Sequence, residues 1–132
     1  MERIEITNAI YALKSDFKGC KYVEEPTNES EYEAIEWVIG LDSINSCVYG
    51  TRPSDVPDWT TAKSKFDTMV SELSMSNLRA QRNVLLAETD WSQGTDVPDA
   101  LKTKYTEYRQ ALRDITKTYI SYEDVVWPTK PE

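Results

Sequence analysis

Apolar and polar positions follow different rhythms along this chain, and each rhythm predicts a different element. Ile6, Ala9, Ile10, Leu13 and Phe17 fall at helical spacing, with Thr7 or Asn8 placed to cap a short amphipathic helix and Gly19 to stop it. Residues 20–25 favour extended structure and end at Pro26, and Pro26-Thr27-Asn28-Glu29-Ser30 is turn chemistry. Residues 32–39 alternate, with Ile35, Trp37 and Ile39 on one side and Ala34, Glu36 and Val38 on the other; this is the pattern of a strand, with a helix as the alternative. Residues 44–49, Ile-Asn-Ser-Cys-Val-Tyr, supply a third short strand before Gly50. Pro53 and Pro57 then make residues 51–58 a loop, because neither a helix nor a central strand accommodates both.

Beyond the loop the rhythm becomes helical. Asp58 is an N-cap candidate, and Trp59, Ala62, Phe66, Met69 and Leu73 recur in steps of three and four, continued by Ala80, Val84, Ala87 and Trp91. This predicts one long helix or two in line, with Ser74-Met75-Ser76-Asn77 as the place for a break, since small polar side chains compete with the helical backbone. Unbroken, it would be roughly 45 Å long, a length that calls for a packing partner. Residues 92–98 form a turn. Leu101, Tyr105, Tyr108, Leu112, Ile115 and Tyr119 then make the most regular stripe in the chain, with Asp96 or Asp99 as its cap. Two antiparallel helices follow, packing Leu85, Leu86 and Trp91 against Tyr105, Tyr108 and Leu112, before an extended tail over residues 124–132 that holds Pro128 and Pro131. The predicted fold is α+β: a small helix-plus-strands lobe over 1–57, then a long helix and a C-terminal helical hairpin with an extended tail over 58–132.

Composition narrows the function. The 132 residues suit one domain or two small lobes. No stretch is apolar enough to span a membrane, and Met-Glu-Arg-Ile-Glu lacks the pattern of a secretory signal. Cys20 and Cys47 are too few and too far apart for a disulfide framework or a zinc site, and the absence of His removes the commonest metal ligand and general base. With 15 basic against 23 acidic residues, the net charge of −8 argues against nucleic acid as a ligand. The excess is greatest where Glu24, Glu25, Glu29, Glu31, Glu33 and Glu36 occur without an intervening base, read as a solvated loop or exposed strand face. Four Gly in the whole chain cannot build a phosphate cradle, and no HExxH or GxSxG is present. No catalytic, cofactor-binding or metal-binding residue is therefore expected. An enzyme working on carboxylates would need two acids in one concave pocket.

The second half carries a more specific pattern: Arg79-Ala-Gln-Arg82-Asn-Val-Leu-Leu, then Thr89-Asp90-Trp91, Tyr108-Arg109-Gln110-Ala111-Leu112-Arg113-Asp114, and Trp127-Pro128. Over residues of about 77 to 132 it resembles the phage tail assembly chaperone-like domain, which occurs in small stand-alone proteins and at the ends of tail-fibre-associated proteins of tailed bacteriophages. The first half is similar, more loosely, to a helix-plus-strands module of some phage tail proteins. In this chain Thr-Lys-Thr follows Ile115 where a proline-bearing stop would be usual, so the last helix is expected to run one turn further. The resemblance implies a non-enzymatic protein of the tail fibre or baseplate assembly, a chaperone or a small component retained in the virion, located in the host cytoplasm during assembly or in the virion tail. Its partners would be other tail proteins, with self-association as a further option, and no nucleic acid, membrane, metal or cofactor.

The same residues have a physical reading. Arg79 with Arg82, and Arg109 with Arg113, repel unless carboxylates intervene, and Asp90, Asp114 and Asp124 are the candidates. A bidentate arginine–carboxylate pair would set the angle between the helices, with Trp91 and Trp127 closing the ends of the hairpin. The expected structural ion pairs are thus drawn from Arg82, Asp90, Arg109, Arg113 and Asp114. The expected partner-binding residues are Trp59, Trp91, Tyr108, Trp127, Pro128 and Pro131, aromatics being frequent interface anchors. The competing function is an acidic DNA mimic that inhibits a host protein. It fits less well because residues 67–132 carry 11 acids against 8 bases, too even a balance for a fully acidic face.

Overall fold

Local capping chemistry decides where each element begins. In the computed structural model, which describes residues 3–132, helix α1 spans Ile6–Leu13. Asn8, at its third position, reaches back to accept a hydrogen bond from the Glu5 N–H at 2.7 Å. The helix stops at Leu13, well short of Gly19, because Lys14 is already extended. Phe17 joins the core from outside it, and Gly19 instead takes a left-handed turn with φ 108°.

Strand β1 is short, Cys20–Lys21. Next comes an element that hydrophobic alternation did not indicate, helix α2 over Glu29–Glu33. Asn28 caps it, accepting from the Glu31 N–H at 2.9 Å, and the Glu31 carboxylate accepts from the Thr27 N–H and hydroxyl. The strand expected from residue 32 therefore starts later: β2 is Glu36–Leu41. Antiparallel pairing puts β2 at the centre of a three-stranded sheet, between β1 and β3 (Cys47–Gly50). Its register shifts between Val38 and Gly40, so burial departs from simple alternation: Trp37 and Val38 are buried and Ile39 is half exposed. Ile44 to Ser46, expected in the third strand, instead make the hairpin turn. The Asp42 carboxylate accepts from the N–H groups of Ile44 and Ser46, and Asn45 is left-handed at φ 62°.

Helix α3 is continuous over Trp59–Glu88, passing through Ser74-Met75-Ser76-Asn77 without a break, and Asp58 caps it by accepting from the Thr61 N–H. A 3₁₀ turn over Asp90–Gln93 leads to helix α4, Asp99–Thr118. Neither Asp96 nor Asp99 acts as the cap of α4. Pro98 holds that position without a side-chain bond, and Asp99 is the first helical residue, where its charge suits the helix N-terminus. The fold is α+β, with the long helix and C-terminal helix as expected.

The chain divides into two compact units, Met1–Val70 and Ser71–Glu132, so the division falls within α3. The first unit is organised around Ile6, Ile10, Phe17, Tyr32, Ile35 and Trp37, joined by Val56 and Ala62. The Tyr32 hydroxyl, in a fully buried side chain, donates to the Pro57 carbonyl at 2.7 Å. The second unit is a helical hairpin with its tail. Tyr105, Tyr108 and Leu112 of α4 form its centre, and Leu85, Leu86, Leu101 and Trp127 pack on them.

Candidate functional site

The second unit is held by one arginine that meets the end of a helix. The last turn of any α-helix leaves carbonyl oxygens without intrahelical donors, and a cation there also opposes the helix dipole. Arg109 of α4, with its residue only 8% exposed, fills both needs for α3. Its Nη1 donates to the Leu86 carbonyl at 2.6 Å and to the Thr89 hydroxyl at 3.0 Å, while Nη2 lies 2.9 Å from the Asp90 carboxylate. Arg109 Nε is buried without a partner. The clamp is thus a single-nitrogen ion pair plus bonds to a helix terminus, and not the bidentate fork expected from the sequence.

The Thr-Asp-Trp motif supplies the receiving side. Thr89 is fully buried, and its hydroxyl also lies within bonding distance of the Leu85 and Leu86 carbonyls. Ser92, equally buried, donates to the Thr89 carbonyl at 2.6 Å and accepts from Gln93 Nε2 at 3.1 Å. Trp91 meets the edge of Tyr105 with ring centroids 5.0 Å apart, yet stays 53% exposed. Below the clamp, Ser74 ties the chain after α4 to α3: its hydroxyl accepts from the Tyr122 N–H at 2.7 Å and donates to Glu123 at 2.9 Å. Those contacts hold the Glu123 carboxyl below the ordinary carboxylate range, the Ser121 hydroxyl contributing most. The tail returns along α4. Trp127 packs on the aromatic centre and on Tyr122, and the Tyr105 hydroxyl donates to the Pro131 carbonyl at 3.2 Å.

The other residues singled out from the sequence take varied positions. Trp59 is half-buried against the core of the first unit, and Tyr108 is buried in the centre of the second. Trp127, Pro128 and Pro131 are half-buried. Arg82 binds the side chain of its neighbour Asn83, and Asp114 pairs with Lys117. Among the described residues, Arg79, Arg82 and Arg113 form no ion pair with a carboxylate. Thr89, Ser92 and Ser74 complete the network, although none of them was expected to bind a partner or form an ion pair. Thr89 three residues after the apolar Leu85-Leu86 pair, with Ser92 three residues further on, was the available signal.

Two acids do share a cleft in the first unit, Asp16 and Asp55, in a space of about 470 Å³ that Phe17, Val38 and Arg52 also line. Lys14 stands between them at 2.8 and 2.9 Å, and its bonds lower both carboxyl pKa values. General acid catalysis needs one carboxyl raised, so this pair lacks that arrangement. The glutamate run is also less free than its composition implied: Glu25 accepts from Tyr22 and the Ile6 N–H, Glu33 pairs with Arg52, and Glu36 with Lys21.

Residues 75–132 match the family model described as phage tail assembly chaperone protein. The resemblance drawn from the Thr-Asp-Trp and Tyr-Arg-Gln-Ala-Leu motifs therefore holds over that stretch, which contains the whole Arg109 clamp. No curated protein and no solved structure matches the chain.

Proposed function

We propose that this chain is a non-enzymatic binding module of a tailed bacteriophage that acts in tail fibre or baseplate assembly and is retained as a small component of the particle. The observation that carries this reading is the family match over 75–132, within which the motif residues Thr89, Asp90 and Arg109 hold the hairpin together. The hairpin and its tail leave some large apolar side chains outside: Trp91 at 53% exposure, Val126 at 72% and Ile120 at 79%. Half-exposed aromatics on a rigid support are what an interface uses as anchors. A partner polypeptide that covers them gains burial at about 25 cal/mol per Å² of apolar surface, before the costs of association.

The test is affinity capture of the tagged protein from infected cells, with identification of the bound chain, together with mass spectrometry of purified virions. A fibre or baseplate protein in the capture and stoichiometric amounts in virions are expected. Capture of a host nuclease or polymerase alone, in a salt-sensitive manner, would overturn the reading in favour of an acidic inhibitor. Capture of a tail protein with none of this chain in virions would reduce the role to that of a transient chaperone.

A further inference from the structure

Arg109 sets the relative level of α3 and α4, and that level brings three further arginines to one flank of the hairpin. Arg109 meets the end of α3 at Leu86. Arg113 lies one turn onward along α4, and since Arg109 meets Leu86 and Tyr122 meets Ser74, it falls at the level of the turn of α3 that precedes Leu86, which carries Arg82. Continuing the same way, Ile120 lies with Met75 and Arg79, as the walls of a shallow surface dimple of about 450 Å³ completed by Ser71 and Glu72. Ser71, Met75, Arg79 and Arg82 follow one another by three and four, so they share this side of α3. The flank is therefore basic and apolar on a chain whose net charge is −8, and its three guanidinium groups have no carboxylate partner among the described residues.

We infer that this flank receives a segment of a partner protein in which carboxylates alternate with aliphatic side chains, the carboxylates meeting Arg79, Arg82 and Arg113 and the aliphatic groups meeting Met75 and Ile120. Guanidinium groups match carboxylates in geometry as well as charge, and unpaired ones beside an apolar hollow gain most from such a ligand. Glu72 at the far edge of the dimple sets the polarity, placing the acidic part of the ligand toward Arg82 and Arg113. The inference rests on the binding-module reading and adds to it the chemistry of the partner.

The test uses the full chain and a synthetic amphipathic peptide of leucine and glutamate, with a leucine and glutamine peptide of the same length as control. Binding is followed by NMR through the backbone and arginine Nε–H signals. Shifts confined to Arg79, Arg82, Arg113, Met75 and Ile120 are expected, with affinity falling as NaCl rises from about 50 to about 300 mM. The R79Q/R82Q/R113Q variant and the glutamine peptide should each bind at least about tenfold more weakly. Should the triple variant lose its melting transition, R79Q/R113Q, which alters only exposed positions, serves in its place. Equal affinity for the two peptides, shifts centred elsewhere, or concentration-dependent shifts at these residues without peptide, which would mean a second copy of the chain sits there, would overturn the inference. If the triple variant still captures the same tail protein from infected cells as wild type, the flank is not the site although the binding-module reading survives; if wild type captures none, that reading fails first.

Discussion

Replacing Arg109 by Ala should do far more damage than replacing the carboxylate it pairs with. Asp90 is 69% exposed, so its pairing with Arg109 is screened by water and contributes under about 1 kcal/mol. The bonds to the Leu86 carbonyl and the Thr89 hydroxyl are shielded from water, since Thr89 is fully buried, although without the guanidinium the carbonyl keeps the Thr89 N–H as a donor and the hydroxyl keeps the Leu85 and Leu86 carbonyls. Losing hydrogen bonds from a charged donor costs about 1.5–3 kcal/mol, and loss of the cation from the end of α3 adds about 0.3–1 kcal/mol. Arg109→Ala should therefore destabilise the second unit by about 3 kcal/mol, a fall of about 15 °C in melting temperature for a unit of this size. Asp90→Ala should cost less than about 1 kcal/mol, and Arg109→Lys, which keeps the charge but loses the planar fork, should fall between them. Urea unfolding followed by amide hydrogen exchange of α4 reads this unit separately from the first. Comparable losses for Arg109→Ala and Asp90→Ala, or a loss below about 1 kcal/mol for the former, would refute the claim that the helix terminus is the main recipient of the clamp.

Three more outcomes follow. Trp127→Ala should lower stability by about 2–3 kcal/mol, because the indole is half-buried on the Tyr105–Tyr108–Leu112 centre, whereas Trp91→Ala should weaken partner capture more than it lowers the melting temperature; the opposite ranking would make Trp127 the ligand and Trp91 the staple. In thiol labelling at neutral pH the exposed Cys47 should react quickly and Cys20 slowly, since burial and then the charge of Glu25 push the Cys20 thiol up to about 11; equal rates would contradict the burial of Cys20. Burial raises the phenol pKa values of Tyr22 and Tyr32 in the folded state, so the stability they confer is complete below the unfolded value of about 10 and is lost as pH rises beyond it. Urea midpoints of the first unit should fall above about pH 10, less steeply in Tyr32→Phe; a flat profile would contradict this.

The parts of the fold that could be read from the sequence are those in which one periodicity runs long enough to dominate. The stripe from Leu101 to Ile115 became α4, and Asp58 became the cap of α3. Short elements were less legible, because a few polar contacts outweigh two or three apolar residues. The Asn28 cap and the Glu31–Thr27 bonds turned an expected turn into α2, and the Asp42 bonds took Ile44 to Ser46 out of β3. The Ser74-Met75-Ser76-Asn77 segment did not break α3, since Ser74 spends its hydroxyl on Tyr122 and Glu123 instead of on its own backbone. At the candidate site Asp90 and Arg109 were legible as partners, but sequence spacing gave no sign that the guanidinium would be spent chiefly on the Leu86 carbonyl and Thr89. Which arginine is buried depends on the level at which the helices meet, and four arginines at similar spacing do not reveal it.

The most direct test of the central claim places a photo-reactive amino acid at Trp91 or at Ile120 in the chain expressed during infection, with Glu29 on α2 as the control position. Ultraviolet crosslinking followed by mass spectrometry should join both hairpin positions, and not the control, to a fibre or baseplate polypeptide. Crosslinks from Glu29 alone, or hairpin positions that reach only solvent, would contradict the account.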